Sequence, residues 1–202
     1  MLDRASAAYS RFNRRQKARR FRGLIAHHNV KTVLLVGAES ATFSWSNIVE
    51  NAILSSGARV VVSGLGPELD FPNTLRVFCD GRALPFRDGA FDLVLSNAVV
   101  EHVGDEADQR VFLAEHYRVG RRYVATTPNR WFPVESHTRV LFRHWVPAWR
   151  DRHSAAFSRL LSRRELARVL PGHEHRIRGR WFSPTFTVDG LGLRYDDAPR
   201  NS

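Results

Sequence analysis

Between residues 31 and 128, short apolar runs alternate with amphipathic stretches, and that alternation leaves few folds open. Residues 33–36, 60–62, 75–79, 91–95 and 122–126 read as strands. Most are apolar throughout, as strands buried on both faces of a parallel sheet are. Residues 44–54 read as a crossover helix whose Trp45, Ile48, Val49, Ala52 and Ile53 face the sheet, with Gly57 as its stop. A second helix starts at Asp105 or Glu106 and runs to residue 118. Strand following helix following strand implies a parallel, doubly wound sheet. Downstream, Ser162-Arg163-Arg164-Glu165 is a capping box that opens a helix reaching Leu170, stopped by Pro171-Gly172. Residues 175–182 and 185–193, joined by Ser183-Pro184, read as a terminal antiparallel hairpin.

The most informative segment is VFCDGRALPFRDGAFDLVLSNAVVEHV, residues 77–103. A strand leads to Asp80-Gly81. A turn through Leu84-Pro85-Phe86 and Asp88-Gly89 follows, then a strand carrying Phe91-Asp92, then Ser96-Asn97 and Glu101-His102. Polar groups at the carboxyl ends of strands mark the ligand edge of open α/β sheets. This ordered set resembles the central segment of class I S-adenosylmethionine (SAM)-dependent methyltransferases of the type 11 group. The resemblance covers residues 31–138, about half of the chain. It implies a Rossmann-like seven-stranded sheet, mostly parallel, with a C-terminal antiparallel hairpin. It implies SAM as cofactor and methyl transfer to a small-molecule, glycan or lipid acceptor, with O-methylation the expected reaction.

The same resemblance assigns residues. Asp80 would accept the adenine amino group, and the backbone at Gly81 and Arg82 would meet the ring edge. Gly37 would stand at the start of the cofactor loop, and Asn97 would line the methionine half. His102 and His137 are candidate proton acceptors, since an imidazole titrates near neutrality. Glu101 beside His102 completes the candidate catalytic set, and Glu135 stands close to His137 in sequence. No metal is expected, because Ala98 stands where metal-using relatives place an acid. Two departures weaken the cofactor motif. After the first strand the chain reads Leu35-Val36-Gly37-Ala38-Glu39-Ser40-Ala41, with one of three glycines and no acid at position 35. Gly64 occupies the place of the ribose-binding acid, for which Glu68 or Asp70 could substitute. These departures leave open a second reading, a catalytically inert methyltransferase-like binding or scaffold protein.

Charge bears on partners. Net charge is +11, spread unevenly. Residues 1–22 hold eight Lys or Arg against Asp3, residues 139–180 hold eleven Arg against three acids, and residues 80–108 hold seven acids against two Arg. Basic flanks suit anionic partners, an anionic membrane surface among them. Nucleic acid is disfavoured, because no base-modifying motif accompanies the charge. No apolar run approaches the roughly 20 residues of a membrane span, and the lone Cys79 fits a reducing cytoplasm. The expected organisation is a basic N-terminal helix over 1–28, acting as lid or anchor, and a methyltransferase-like domain over 29–195. An aromatic cap is inserted at 130–160, and 196–202 form a disordered tail.

Overall fold

The computed structural model describes residues 2–38, 47–66, 71, 74–134, 141–152, 159–172 and 174–192. Helix α1 (Leu2–His27) comes first, then β1 (Thr32–Val36), α2 (Ile48–Leu54), β2 (Arg59–Gly64), β3 (Leu75–Phe78) and β4 (Leu93–Asn97). A 3-10 turn (Val100–His102), α3 (Glu106–Val119) and β5 (Arg122–Pro128) follow. The cap holds a 3-10 turn (Arg143–Trp145) and α4 (Pro147–Arg152), and α5 (Arg163–Val169), β6 (His175–Arg178) and β7 (Thr185–Leu191) close the chain.

The seven strands form one sheet in the order β3-β2-β1-β4-β5-β7-β6. Strands β1 to β5 pair in parallel, while β7 runs antiparallel to both β5 and β6. The order reverses between β1 and β4, and a crevice at such a switch point is where open α/β sheets bind ligands. The expected sheet and terminal hairpin are both present.

Two hydrophobic clusters cover the two faces. Leu34, Val36, Val94, Phe112, Tyr123 and Phe186 belong to one. Phe21, Ile25, Val33, Leu35, Ile53 and Leu95 belong to the other. Neighbouring residues of one strand fall in different clusters because successive side chains point to opposite faces. Leu35, read from sequence as a missing acid, is fully buried beneath α1 and α2.

Several boundaries differ from expectation, each for a local reason. β4 begins at Leu93 rather than at residue 91. Asp92 is diverted: its Oδ2 accepts the backbone N–H groups of Lys31 and Thr32, at 3.0 Å each, and the Thr32 hydroxyl. Ser96 and Asn97 therefore lie inside the strand. β5 extends to Pro128 because β7 pairs along its full length. β6 ends at Arg178, since Arg180 to Ser183 form a turn closed by Arg180 N–H donating to Ser183 Oγ at 2.8 Å. The described part of the crossover helix begins at Ile48; Trp45 and the preceding loop, with Glu39, Ser40 and Ala41, lie outside the described residues, as do Glu68, Asp70 and 196–202. Both caps form as their sequences suggest. Asp105 caps α3 in a box with Asp108, and Ser162 caps α5 in a box with Glu165.

Arg118 ties α3 to the loop after β3. It bonds Glu115 and Asp88 and donates to the carbonyls of Leu84 and Phe86. This fixes the turn after Asp80, on which the ligand edge rests.

Helix α1 is part of the core. Ala18, Phe21 and Ile25 are buried, and Phe21 is 1% exposed. Phe21→Ala should therefore lower the unfolding free energy by about 3–5 kcal/mol, measured by chemical denaturation. An unchanged midpoint would show that the helix contributes nothing to folding.

Candidate functional site

The carboxyl ends of β1, β2 and β4 surround a cavity of about 720 Å³, within the range that holds small-molecule ligands. Its wall includes Arg14 and Lys17 of α1, Gly37 after β1, and Glu50 of α2. Asp80, Gly81 and Arg82 after β3, Asn97 at the end of β4 and His102 beyond it complete it. Of the residues singled out by sequence, Gly37, Asp80, Gly81, Arg82, Asn97 and His102 are thus brought together. Glu101 is not on this wall: it is 1% exposed and turned into the interior, while its carbonyl accepts Arg159 N–H. His102 is exposed. His137 and Glu135 lie outside the described residues. A smaller cavity of about 330 Å³ lies at the opposite sheet edge, where Asp189 already pairs with Arg20 and Arg178.

Asn97 is the hub. Lys17 Nζ donates to Asn97 Oδ1 at 2.9 Å, and Thr126 Oγ1 donates to the same oxygen at 3.0 Å. Asn97 Nδ2 donates to Glu50 Oε1 at 3.0 Å. Asn97 does not cap the following turn, whose N-cap is Val99. Glu50 is buried and its Oε2 has no hydrogen-bond partner among the described residues. Burial, with help from the Arg14 charge, pushes the Lys17 ammonium down to about 8, against the opposing pull of Glu101 and Glu50. Neither Lys17 nor Glu50 was singled out from sequence. Lys17 sits in the run Arg14-Arg15-Gln16-Lys17-Ala18-Arg19-Arg20, which reads as a solvated face. Only its spacing from Phe21, one helical turn on, hints that it points inward.

Asp80 is engaged by its neighbour. Its Oδ1 accepts Arg82 N–H at 2.8 Å, and its Oδ2 accepts Arg82 Nη2 at 2.7 Å. Those bonds hold its carboxyl below the usual carboxylate range. Arg82 Nη1 reaches on to Asp108 Oδ1 at 2.6 Å. Gly81 is required by packing, since a Cβ there would fall 2.5 Å from the Phe112 ring. Gly37 is left-handed, at φ +68°, and a Cβ would meet Val99. These glycines let the protein pack against itself at the cavity wall. Cys79, placed by sequence inside a strand, lies just past β3 and lines the cavity.

The family model described as "Methyltransferase domain" matches residues 54–123. The chain has the Rossmann-like fold of class I methyltransferases, and about a third of it matches their family model. Solved structures agree on the fold. Geranyl diphosphate C-methyltransferase from Streptomyces coelicolor, solved with S-adenosyl-L-homocysteine, superposes at a TM-score of 0.57 and 18% identity, covering 81% of this chain and 70% of that one. Phosphoethanolamine N-methyltransferase 2 from Haemonchus contortus, solved with SAM, gives 0.58 at 10% identity over 81% of this chain and 49% of that one. A methyltransferase of Haloferax volcanii in complex with its Trm112 activator gives 0.54 at 14% identity, over 81% and 83%. No curated protein matches the sequence.

Solved neighbours of this fold hold SAM or S-adenosyl-L-homocysteine, and the cavity wall carries groups that fit such a ligand. SAM ends in an amino acid carrying one ammonium and one carboxylate. The wall offers a buried Glu50 oxygen in want of a donor and a buried Lys17 ammonium. Among the described residues no three potential metal ligands gather, and no helix is long and apolar enough to cross a membrane.

The Lys17 shift has a pH consequence. Folding holds its pKa near 8, below the ordinary 10.5. The unfolded chain then binds more protons between those values, so this group destabilises the fold below pH 8 and ceases to above 10.5. Denaturation of wild type and Lys17→Met across pH 7–10.5 should show wild type gaining on the variant by up to about 1.4 kcal/mol per pH unit above pH 8. Parallel curves would mean that Lys17 is solvated.

Proposed function

We propose that this chain is a SAM-dependent methyltransferase acting on the oxygen of a small-molecule, glycan or lipid acceptor. The observation that carries the reading is the Lys17–Asn97–Glu50 network in the cavity wall. Glu50 Oε2 would accept the ammonium of the cofactor's amino acid, in place of the acid absent at position 35. Lys17 would pair with its carboxylate, and α1 would thereby act as a lid. Asp80, ordered by Arg82, would present its remaining lone pairs to the adenine. Bound there, the cofactor supplies a methyl group on a positively charged sulfur, open to in-line displacement.

A hydroxyl acceptor must lose its proton. His102, exposed on the cavity wall, would receive it. His137 belongs to the same proposal as a second proton acceptor from the cap. The aromatic residues of the cap stand beyond the same sheet edge, where an acceptor's sugar or acyl part would rest.

One observation favours the inert reading. Both Asp80 oxygens already serve Arg82, so a scaffold could keep this fold with no ligand. Calorimetric titration with SAM and with S-adenosyl-L-homocysteine separates the two. Micromolar binding supports the enzyme, and no heat at millimolar ligand supports the scaffold. Asp80→Ala should weaken SAM binding at least about tenfold, or 1.4 kcal/mol. Lys17→Met and Glu50→Gln should each weaken it comparably. Wild-type affinity in all three variants would overturn the assignment of the cofactor end.

A further inference from the structure

Large hydrophobic side chains left exposed are not scattered over this molecule. Most of those described gather at one end, around the cap, the start of α1 and the β6–β7 turn. Phe12 is 56% exposed, Trp131 50%, and Trp181 77%. Ring contacts join several of them. Tyr9 of α1 stacks on Phe132 of the cap, with ring centroids 6.2 Å apart and planes 8° from parallel. Trp131 and Phe142 both pack edge-on against Trp145.

A buried polar frame holds these rings outward. Asn129, 3% exposed, follows β5. Its Nδ2 donates to the carbonyls of Trp181 and Ser183, at 2.6 and 2.9 Å, and its Oδ1 accepts Trp131 N–H at 3.0 Å. Trp145 Nε1 donates to the Arg130 carbonyl at 3.2 Å. The Asn129 amide and the Trp145 indole N–H are thus bonded inward, while the rings of Trp131, Trp145 and Trp181 remain exposed. Contiguous exposed apolar area of this kind marks an interaction site.

Charge identifies the partner. Exposed Arg11 and Arg15 flank Phe12 on α1, Arg143 adjoins Phe142, and Arg180 adjoins Trp181. None of these four forms an ion pair with a described residue. Glu165 is already held by Arg130. Indoles and phenols favour the headgroup depth of a bilayer, where their apolar and polar parts are both satisfied. Arginine stems can lie along that boundary with their heads at the phosphates. Exposed Leu141 and Val146 would gain nothing from a nucleic acid.

We propose that this end of the molecule docks on a bilayer with anionic headgroups, with the methyltransferase cavity opening along the same edge. Docking needs neither cofactor nor turnover, so it stands or falls apart from the catalytic reading.

The test is co-sedimentation of the purified protein with vesicles of phosphatidylcholine, with and without phosphatidylglycerol. Binding should require phosphatidylglycerol and weaken with salt. Trp131→Ser with Trp181→Ser should lower partition at least tenfold. Arg11→Gln with Arg15→Gln should lower it about fivefold per arginine. Both variants should keep the wild-type melting temperature and SAM titration. No binding to anionic vesicles would overturn the proposal. So would equal binding by wild type and the tryptophan variant, or binding to duplex nucleic acid with none to vesicles.

Discussion

Everything at the ligand edge depends on a half-buried amide on which three elements converge. Asn97 ends β4, and its side chain is reached from α1 by Lys17, from α2 by Glu50 and from β5 by Thr126. Leaving any of these groups buried without its partner costs about 1–3 kcal/mol, more where charge is involved. The helix is therefore held against the sheet by hydrocarbon at Phe21 and Ile25 and by a polar contact near Lys17. The hydrocarbon supplies adhesion. The polar contact sets the position of α1 over the cavity, because a hydrogen bond tolerates little displacement.

That arrangement bears on the degenerate cofactor motif. An acid at position 35 would have to lie among Phe21, Ile53 and Leu95, in the fully buried cluster under α1 and α2. Here the helix covers that position, and leucine packs beneath it. In the proposed reading, Glu50 takes over the acidic function and Lys17 of the covering helix adds a cation. Loss of the motif residue and gain of a packed helix are thus two sides of one structural choice.

The sheet and its topology were legible because they rest on periodicity and on turn chemistry, which are local. The capping box at Ser162 and the terminal hairpin are of this kind. The strand bounds were less so: nothing near residue 92 says that its carboxylate will bond Lys31 and Thr32, some sixty positions away. The site divides the same way. Asp80, Asn97 and His102 lie at or just past strand ends and could be singled out. Glu50 reads as an ordinary first-turn helix acid and Lys17 as one basic residue among many, since their meaning comes only from what the fold sets opposite them. Gly81 was expected to offer its backbone to a ligand; its absent side chain also makes room for Phe112, which the sequence did not show.

The strand order carries a consequence for how the molecule is made. Every residue lining the large cavity lies between Arg14 and Phe112, so a ribosome delivers the whole cofactor half before β5 exists. The aromatic half comes later, and β7 must slot between β5 and β6 to complete the sheet. Pairing at such sequence separation is slow. Until β7 arrives, the free edge of β5 is an open template for other chains. The emerging polypeptide is most exposed to mispairing after its cofactor half is complete and before its final strand is in place.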